Sequence, residues 1–166
     1  MPKISGLRLL ALSAGIVTAD QASKAWIINN YALYEPHPVL PVLDITRLHN
    51  PGAAFSFLAG AGGWQRWLFT VLAVVVSGAI IHWLRSLDGV RQKLLATGLA
   101  LVLGGALGNV IDRIRFGYVV DFIHAHWNQA YFPAFNVADS AISIGAALII
   151  LDALLDWRRS RQGAAP

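Results

Sequence analysis

Acidic residues are scarce in this chain, and two of them occur in or beside apolar segments, where a charged carboxylate is energetically costly. Asp121 and Asp139 lie 18 residues apart, each within or beside a strongly apolar stretch. Two carboxyl groups held close together cannot both ionise cheaply, so they share one proton. The ionised member can take a proton from water while the other donates one to the carbonyl under attack. The pair therefore indicates hydrolytic chemistry, provided that the fold brings the two residues together.

Each aspartate also has a structural explanation when it is taken alone. Asp139 begins an apolar helical stretch, where a carboxylate caps free N–H groups or complements the helix dipole. Asp121 lies in a strand-like segment, where a solvated carboxylate is ordinary. The residues alone therefore suggest the catalytic pair without deciding for it.

Other catalytic chemistries find less support in the sequence. Cysteine is absent, which excludes a thiol nucleophile and thiolate metal sites. Ser140 and Ser143 have no histidine at an obvious spacing. His124 and His126 alternate on a predicted strand and would face the same side, but two histidines are a weak metal signal. The one glutamate, Glu35, is not part of a His-Glu-x-x-His motif. A zinc site therefore has little support, and interfacial or core-satisfied histidines are the better explanation.

Further polar residues accompany the two aspartates at the same depth of the chain's apolar segments. Asp20 and Lys24 are four residues apart, which places them on one helix face where they can pair. Ionisable groups at membrane depth are costly, so they are functional candidates by default. The other members of this polar group are Asn109, Asp112, Arg113 and Asn136.

The elements that must position these residues are apolar helices. Of the 166 residues, 56% are hydrophobic and only 13% are charged, against about 25% charged in soluble domains. A membrane-spanning helix needs roughly 20 mostly apolar residues. We therefore predict an integral membrane protein, mainly α-helical, with spans at about residues 7–28, 66–85, 94–112 and 136–156. These spans form a single membrane-embedded domain over residues 1–166.

The positions of the basic residues predict the orientation of the four spans. Eight of the thirteen basic residues fall on one side of a four-span protein: Lys3, Arg8, Arg85, Arg91, Lys93, Arg158, Arg159 and Arg161. The positive-inside rule places that side, and with it both termini, in the cytoplasm. The net charge of +4 is thereby explained by topology, and we expect no nucleic-acid partner.

The N-terminus has an alternative interpretation as a cleaved signal peptide. Lys3 and Arg8 precede the apolar run 9–19, whose end could pass as a cleavage site. Cleavage would leave three spans. The polar pattern at 20–24, with its Asp20–Lys24 pair, favours a retained helix.

Two segments are predicted on the external side. Residues 29–64 are rich in proline and glycine, a composition that suggests a lid. Within them, the β-branched and alternating residues of Val39–Leu48 predict a few short strands. Residues 112–135 include Tyr118–Ile123, which also indicates a strand. Aromatic residues fall near the predicted interfaces, as in an aromatic belt: Trp64, Trp67, Trp127, Tyr131 and Trp157.

Four sequence blocks together resemble the lipoprotein signal peptidases, also called signal peptidase II. The blocks are Asp20-Gln-Ala-Ser-Lys24, Asn50-Pro-Gly-Ala-Ala-Phe55, Gly104-Gly-Ala-Leu-Gly-Asn-Val-Ile-Asp-Arg113 with Gly117-Tyr-Val-Val-Asp-Phe122, and Phe135-Asn-Val-Ala-Asp-Ser140. They occur in the family's order and spacing, and the resemblance covers essentially the whole chain. A lone Asn-x-Gly-Ala would be weak, whereas the four blocks together are specific.

The resemblance implies an aspartic endopeptidase of the bacterial inner membrane. It implies a four-helix transmembrane bundle with a small periplasmic β-sheet cradle and a short periplasmic helix. The substrates would be prolipoproteins that carry a diacylglyceryl group on a cysteine, cleaved immediately before that cysteine. Membrane lipids and globomycin-type inhibitors would be further partners, no metal or cofactor would be needed, and we expect a monomer.

The resemblance also assigns residues to roles. Asp121 and Asp139 would form the catalytic dyad on the periplasmic side. The site would be lined by Asn50, Gly52, Asn109, Arg113, Asn136 and Ala138, with Asp20 and Lys24 as structural support.

Two other functions compete with a peptidase on the residues alone. A small transporter could use Asp20, Lys24, Asp121 and Asp139 as an ion path. The third span has no polar residue between Thr97 and Asn109, which counts against such a path. A non-enzymatic assembly factor would keep the same aspartates only as structural ion partners.

Overall fold

The computed structural model describes residues 5–52, 62–128 and 130–162. A 3-10 turn, Gly6–Leu9, leads into the first of four helices. The helices are α1 (Leu10–Asn30), α2 (Gln65–Ser86), α3 (Lys93–Phe116) and α4 (Val137–Gln162). The strands are β1 (Pro36–Leu40), β2 (Leu43–Asn50), β3 (Val119–Trp127) and β4 (Ala130–Tyr131). The predicted combination of a mainly helical chain with a small sheet is confirmed.

Three helices of the described residues are long and apolar enough to cross a membrane: α2, α3 and residues Val137–Arg161 of α4. Helix α1 is not among them, although it contains 21 residues. Its polar residues, including Asp20, Gln21 and Lys24, lower its mean hydropathy. Membrane helices are therefore confirmed, whereas the count of four predicted from the sequence is not.

Helix α3 lies at the centre and packs against α1, α2 and α4. Glycines permit the closest approaches, as expected where packing rather than hydrophobicity drives helix association. A Cβ atom on Gly98 would lie 2.8 Å from the carbonyl oxygen of Gly145 in α4, and one on Gly104 would lie 2.8 Å from that of Ser13 in α1. Larger residues at these points would push both partner helices away from α3.

The outer surfaces of the helices are strongly apolar. Val71 and Val75 of α2 are 59% and 63% exposed, and Ile150 of α4 is 60% exposed. Continuous apolar exposure of this kind suits a lipid surrounding. The residues predicted for an aromatic belt are also exposed: Trp64, Trp67, Trp127, Tyr131 and Trp157.

The four strands form one antiparallel sheet in the order β1-β2-β3-β4. The predicted segment Val39–Leu48 contributes to two short strands, β1 and β2, and the predicted segment Tyr118–Ile123 lies largely in β3. In the β2–β3 ladder Leu48 pairs with Asp121 and Asn50 pairs with Val119, after a register irregularity between Ile45 and Leu48. This register places Asp121 opposite Leu48, two residues before Asn50, the last residue of β2.

The connections place the sheet and the α2–α3 connection, which carries Arg91, at opposite ends of the bundle. At one end Gly6 N donates to Leu87 O at 3.2 Å, so the start of α1 contacts the α2–α3 connection. At the other end Gly117 ends α3 in the left-handed conformation, with φ of 87°. Only glycine adopts this conformation readily. The chain turns there into β3, which begins two residues later at Val119 and carries Asp121.

The short periplasmic helix implied by the resemblance is not found among residues 5–52, 62–128 and 130–162. Residues 53–61 lie outside the described residues. They include Ala53, Ala54 and Phe55 of the second sequence block and part of the predicted lid.

Candidate active site

Asp121 lies on β3 with only 3% of its surface exposed. Both carboxylate oxygens accept hydrogen bonds from asparagine side chains. Asn136 Nδ2 donates to Oδ1 at 2.7 Å, and Asn50 Nδ2 donates to Oδ2 at 3.0 Å. Gly52 N donates to Asn50 Oδ1 at 3.0 Å, which directs the amide nitrogen of Asn50 toward the aspartate.

The surroundings raise the pKa of Asp121 to about 7. Burial is the largest cause, because it penalises the charged form, and the negative charge of Asp139 adds to it. The hydrogen bonds from Asn50 and Asn136 and the charge of Lys24 act in the opposite direction. Asp121 therefore holds a proton up to nearly neutral pH, as one member of a proton-sharing pair must.

Asp139 lies in the first turn of α4. Asn136 caps this helix: its Oδ1 accepts from Asp139 N at 2.9 Å, the usual N-cap bond to the third helical residue. Asn109 Nδ2, from α3, donates to Asp139 Oδ1 at 2.8 Å. The alternative in which Asp139 itself caps α4 is wrong, because the capping side chains belong to Asn136 and Asp20. The carboxylate of Asp139 is directed instead toward α3.

Lys24 is the buried cation of the site, with 2% of its surface exposed. Its ammonium group forms salt bridges with Asp20 Oδ2 at 2.8 Å and with Asp112 Oδ2 at 3.0 Å. The i,i+4 pair predicted from the sequence is thus confirmed. Lys24 also donates to Asn109 Oδ1 at 3.0 Å, so it polarises the amide that holds Asp139.

The two acids around Lys24 also bind backbone groups next to the dyad. Asp20 Oδ1 accepts from Ala138 N at 2.9 Å, which satisfies a second free N–H at the start of α4. Asp112 Oδ2 accepts from Val120 N at 3.0 Å. Each carboxylate therefore fixes the residue that precedes a member of the aspartate pair.

Gln21 also belongs to this support, although the sequence analysis gave it no functional role, and Asp112 was named there only as a member of the polar group at membrane depth. Gln21 Nε2 donates to Asp112 Oδ1 at 2.9 Å and to Gly108 O at 3.2 Å. Gln21 is polar at membrane depth like Asp112, and that signal could have included it.

Asp121 and Asp139 line one cavity of about 370 Å³, together with Asn50, Asn109 and Arg113. The wall continues through residues 132–135 and along α4 past Ser140, Ser143 and Ile144. Three other residues predicted to line the site, Gly52, Asn136 and Ala138, are buried beside the wall. Gly52 and Asn136 form hydrogen bonds with residues that face the cavity, whereas Ala138 N donates to Asp20, which does not line it.

Arg113 is the cation that reaches this cavity from α3. It is 9% exposed. Its guanidinium donates to Gly52 O at 3.1 Å and to Asn109 O at 3.4 Å, and lies 5.5 Å from the ring centre of Phe69. These contacts fix a buried donor group beside the two aspartates.

The histidines on the sheet have other partners. His124 Nδ1 lies 3.4 Å from Thr46 Oγ1, and His126 Nε2 lies 3.4 Å from Asp44 Oδ1. Both rings contact Tyr131, so the two residues face the same side as predicted. No group of three or more metal-binding side chains occurs within the described parts of the chain.

Comparison with known proteins identifies the family of this chain. A family model described as signal peptidase (SPase) II matches residues 12–155. The chain belongs to the signal peptidase II family. It is therefore a membrane-embedded bacterial aspartic protease.

Individual signal peptidase II relatives are similar over nearly their whole length. The lipoprotein signal peptidase of Shewanella halifaxensis is 52% identical over 160 residues, covering 96% of this chain and 94% of the relative. That of Alteromonas mediterranea is 53% identical over 148 residues, covering 89% and 81%.

Two solved structures, each described as a bacterial membrane enzyme, share the fold. The first has a TM-score of 0.83 and 32% identity, covering 94% of this chain and 93% of that chain. The second has a TM-score of 0.77 and 31% identity, covering 93% and 97%.

Proposed function

We propose that this protein cleaves the signal peptide from diacylglyceryl-modified prolipoproteins immediately before the lipidated cysteine, with Asp121 and Asp139 as its catalytic dyad. The observation that carries the proposal is the shared cavity of the two aspartates, each held by asparagine amides. The family membership and the relatives named lipoprotein signal peptidase support the substrate class.

The chemistry follows from one proton shared by two carboxyl groups. The ionised aspartate takes a proton from a water molecule as that water attacks the scissile carbonyl carbon. The protonated aspartate donates its proton to the carbonyl oxygen, which forms a neutral tetrahedral diol. A proton then passes from the first aspartate to the leaving nitrogen, the C–N bond breaks, and the diol returns its proton to the second aspartate. The dyad ends in its starting protonation state.

The remaining cavity residues would position the peptide. Arg113 presents N–H donors and is held by Gly52 and Asn109, so it can bind a substrate carbonyl without moving. Asn50 and Asn109 fix the orientations of the two carboxylates. Gly52, Asn136 and Ala138 assist through the backbone and the capping bonds, and Asp20 and Lys24 support the arrangement from α1.

The cavity suits a substrate that stays in the membrane. It runs along α4 past Ser143 and Ile144, whose helix is apolar enough to span the bilayer. Each acyl CH₂ that remains in lipid is worth about 0.8 kcal/mol, so the diacylglyceryl cysteine would enter laterally rather than through water. A globomycin-type inhibitor would bind the same cavity, and lipids would surround it.

We also propose that α1 is a fourth, retained transmembrane helix, with both termini in the cytoplasm and the dyad on the periplasmic side. Its 21 residues span about 31 Å. Its charged residues, Asp20 and Lys24, face inward and are paired. We further propose that the protein acts as a monomer with a single domain, residues 1–166. Every residue assigned to the site comes from this one chain.

The absence of cysteine makes this topology directly testable. Val39 on β1 and Val90 in the α2–α3 connection are 57% and 62% exposed. In intact spheroplasts a membrane-impermeant maleimide should label Val39→Cys at once and Val90→Cys only after permeabilisation. Labelling of Val90→Cys before permeabilisation would contradict the orientation.

The function is tested by reconstitution with a defined substrate. The purified protein in lipid should convert a diacylglyceryl-modified prolipoprotein into a product whose N-terminus is the lipidated cysteine, as shown by mass spectrometry. The same prolipoprotein without the lipid is the control and should remain largely uncut. Equal cleavage of both forms would contradict a lipid-dependent substrate, and a folded preparation that cuts neither would contradict the proposed function.

A further inference from the structure

A second cavity of about 370 Å³ opens on the sheet side of the dyad. It shares Asn50, Asp121 and residues 132–134 with the catalytic cavity. Four residues line it alone, and we call them the sheet subsite: Leu48, His49, His124 and Tyr131. Asp121 therefore stands at the junction of two cavities.

The two cavities lie against different parts of the fold. The catalytic cavity follows α4, an apolar helix, whereas the sheet subsite lies on β2, β3 and β4, outside the helices. An extended peptide whose scissile bond lies at Asp121 would occupy both cavities, one on each side of the bond. The lipid and the apolar signal peptide belong with the helix side, since their free energy is lowest in the bilayer. The polypeptide that follows the lipidated cysteine would then bind in the cavity on the sheet side.

His49 presents a neutral imidazole of defined orientation to the sheet subsite. Its Nε2 lies 3.5 Å from Arg47 Nη2, and arginine has no acceptor, so Nε2 must accept and the proton lies on Nδ1. The ring stacks on Tyr118 with centroids 3.8 Å apart. Burial and the neighbouring charge of Arg47 lower the pKa of His49, which keeps the ring uncharged.

His124 is held on the opposite strand in a similar state. Its Nδ1 lies 3.4 Å from Thr46 Oγ1, and its ring centre is 4.7 Å from that of Tyr131. Burial lowers the pKa of His124, and the neighbouring His126 adds to this effect against the charge of Asp44. The subsite is thus lined by two neutral rings that carry hydrogen-bonding nitrogens.

We infer that the sheet subsite binds the residue that follows the lipidated cysteine, and that His49 and His124 make it favour uncharged hydrogen-bonding side chains over apolar ones of equal size. The inference rests on the proposed function, because it assigns the substrate's mature side to one of two cavities at the same dyad. It identifies His49 and His124 as specificity-determining residues for that reaction.

Matched substrates test the inference. Lipidated prolipoproteins with Asn or Leu after the cysteine differ little in size, and wild-type kcat/KM should favour Asn by about fivefold, the worth of one net hydrogen bond. His124→Phe and His49→Phe keep an aromatic ring but lose the nitrogens, and each should reduce the ratio to below about twofold. His82→Phe, on the exposed surface of α2, is the control and should leave the ratio unchanged.

The outcomes separate this inference from the function on which it rests. If wild-type protein cuts no lipidated substrate, the proposed function fails. If it cuts both substrates but the Asn-to-Leu ratio is near one, or survives both histidine substitutions, the subsite assignment is wrong and the function stands. The assignment is also wrong if the substitutions change the ranking of substrates that differ before the cysteine rather than after it.

Discussion

Asn136 Nδ2 donates to Asp121 Oδ1 at 2.7 Å, and this bond joins the start of α4 to strand β3. The same side chain caps α4 by accepting from Asp139 N at 2.9 Å. One fully buried amide therefore holds both members of the proposed dyad. Asn136 therefore couples the position of Asp121 to the start of α4, where Asp139 lies.

Substitution of Asn136 should separate capping from catalysis. Asn136→Ala removes both bonds, and we expect a loss of about 1 kcal/mol in stability from the cap together with at least a tenfold loss of kcat. Asn136→Ser keeps a good capping oxygen but no amide donor for Asp121. It should recover most of the thermal stability and little of the activity. Recovery of full activity by the serine variant would show that the bond to Asp121 is dispensable.

The raised pKa of Asp121 predicts an alkaline limit to activity. Below about pH 7 Asp121 carries the proton that the dyad shares, and above that value the proton is lost and both carboxylates are charged. The profile of kcat/KM against pH should therefore fall as the pH rises through about 7. The apparent value belongs to the pair and not to one residue. A profile that is flat from pH 6 to pH 9 would contradict a shared proton.

The hydrogen bond from Asn50 to Asp121 allows the alkaline limit of activity to be shifted by mutation. Its donation to Asp121 Oδ2 stabilises the charged form and lowers the pKa of Asp121. Asn50→Ala should therefore shift the alkaline limb to higher pH, while the maximal rate falls. Asn30→Ala removes an exposed asparagine at the end of α1 and should leave the limb in place. A downward shift for Asn50→Ala would reverse the sign that the structure requires.

The cluster around Lys24 should be the most sensitive part of the bundle. Lys24→Met leaves Asp20 and Asp112 buried without their cation, and breaking a buried ion pair on one side costs about 3–5 kcal/mol. We expect a large fall in the thermal unfolding midpoint in detergent. Arg159→Ala breaks the exposed pair with Asp156 and should leave the midpoint unchanged. Equal midpoints for the two variants would show that the buried cluster does not stabilise the fold.

Gly108 tests how closely α3 must approach α1. A Cβ atom there would lie 2.6 Å from Asp20 Oδ2, a carboxylate already fixed by Lys24 and Ala138 N. Gly108→Ala should cost about 1–3 kcal/mol and reduce activity, because Asp20 must move away from both partners. Gly78→Ala in α2 meets no atom within 4 Å and should be tolerated. The thermal unfolding midpoint in detergent should therefore fall for Gly108→Ala and stay near the wild-type value for Gly78→Ala.

The sequence predicts those features that depend on spacing along one element. The Asp20–Lys24 pair follows from its i,i+4 spacing, and the strand that carries Asp121 follows from its β-branched residues. Asp112 as a second partner of Lys24 does not follow from spacing, because it depends on how α1 packs against α3. The bond from Asp20 to Ala138 N joins residues 118 positions apart, and only the packed bundle brings them together.

The proposed site shows the same division. Asp121 and Asp139 are identified by their chemistry and by the resemblance, but their common cavity depends on the turn at Gly117 and on the β2–β3 register. The roles of Gly52 and Ala138 could not be derived from residue type, since both act through backbone groups. The sheet subsite could not be predicted from the sequence, because His49 and His124 lie on different strands that only the fold brings together.

The most direct measurement of the central claim is cleavage of a diacylglyceryl-modified prolipoprotein by Asp121→Asn and Asp139→Asn. Asparagine keeps the size of the side chain but cannot exchange a proton. Each variant should retain the wild-type unfolding profile and lose kcat by about 10²- to 10⁴-fold. Cleavage at the wild-type rate by either folded variant would contradict the aspartate dyad.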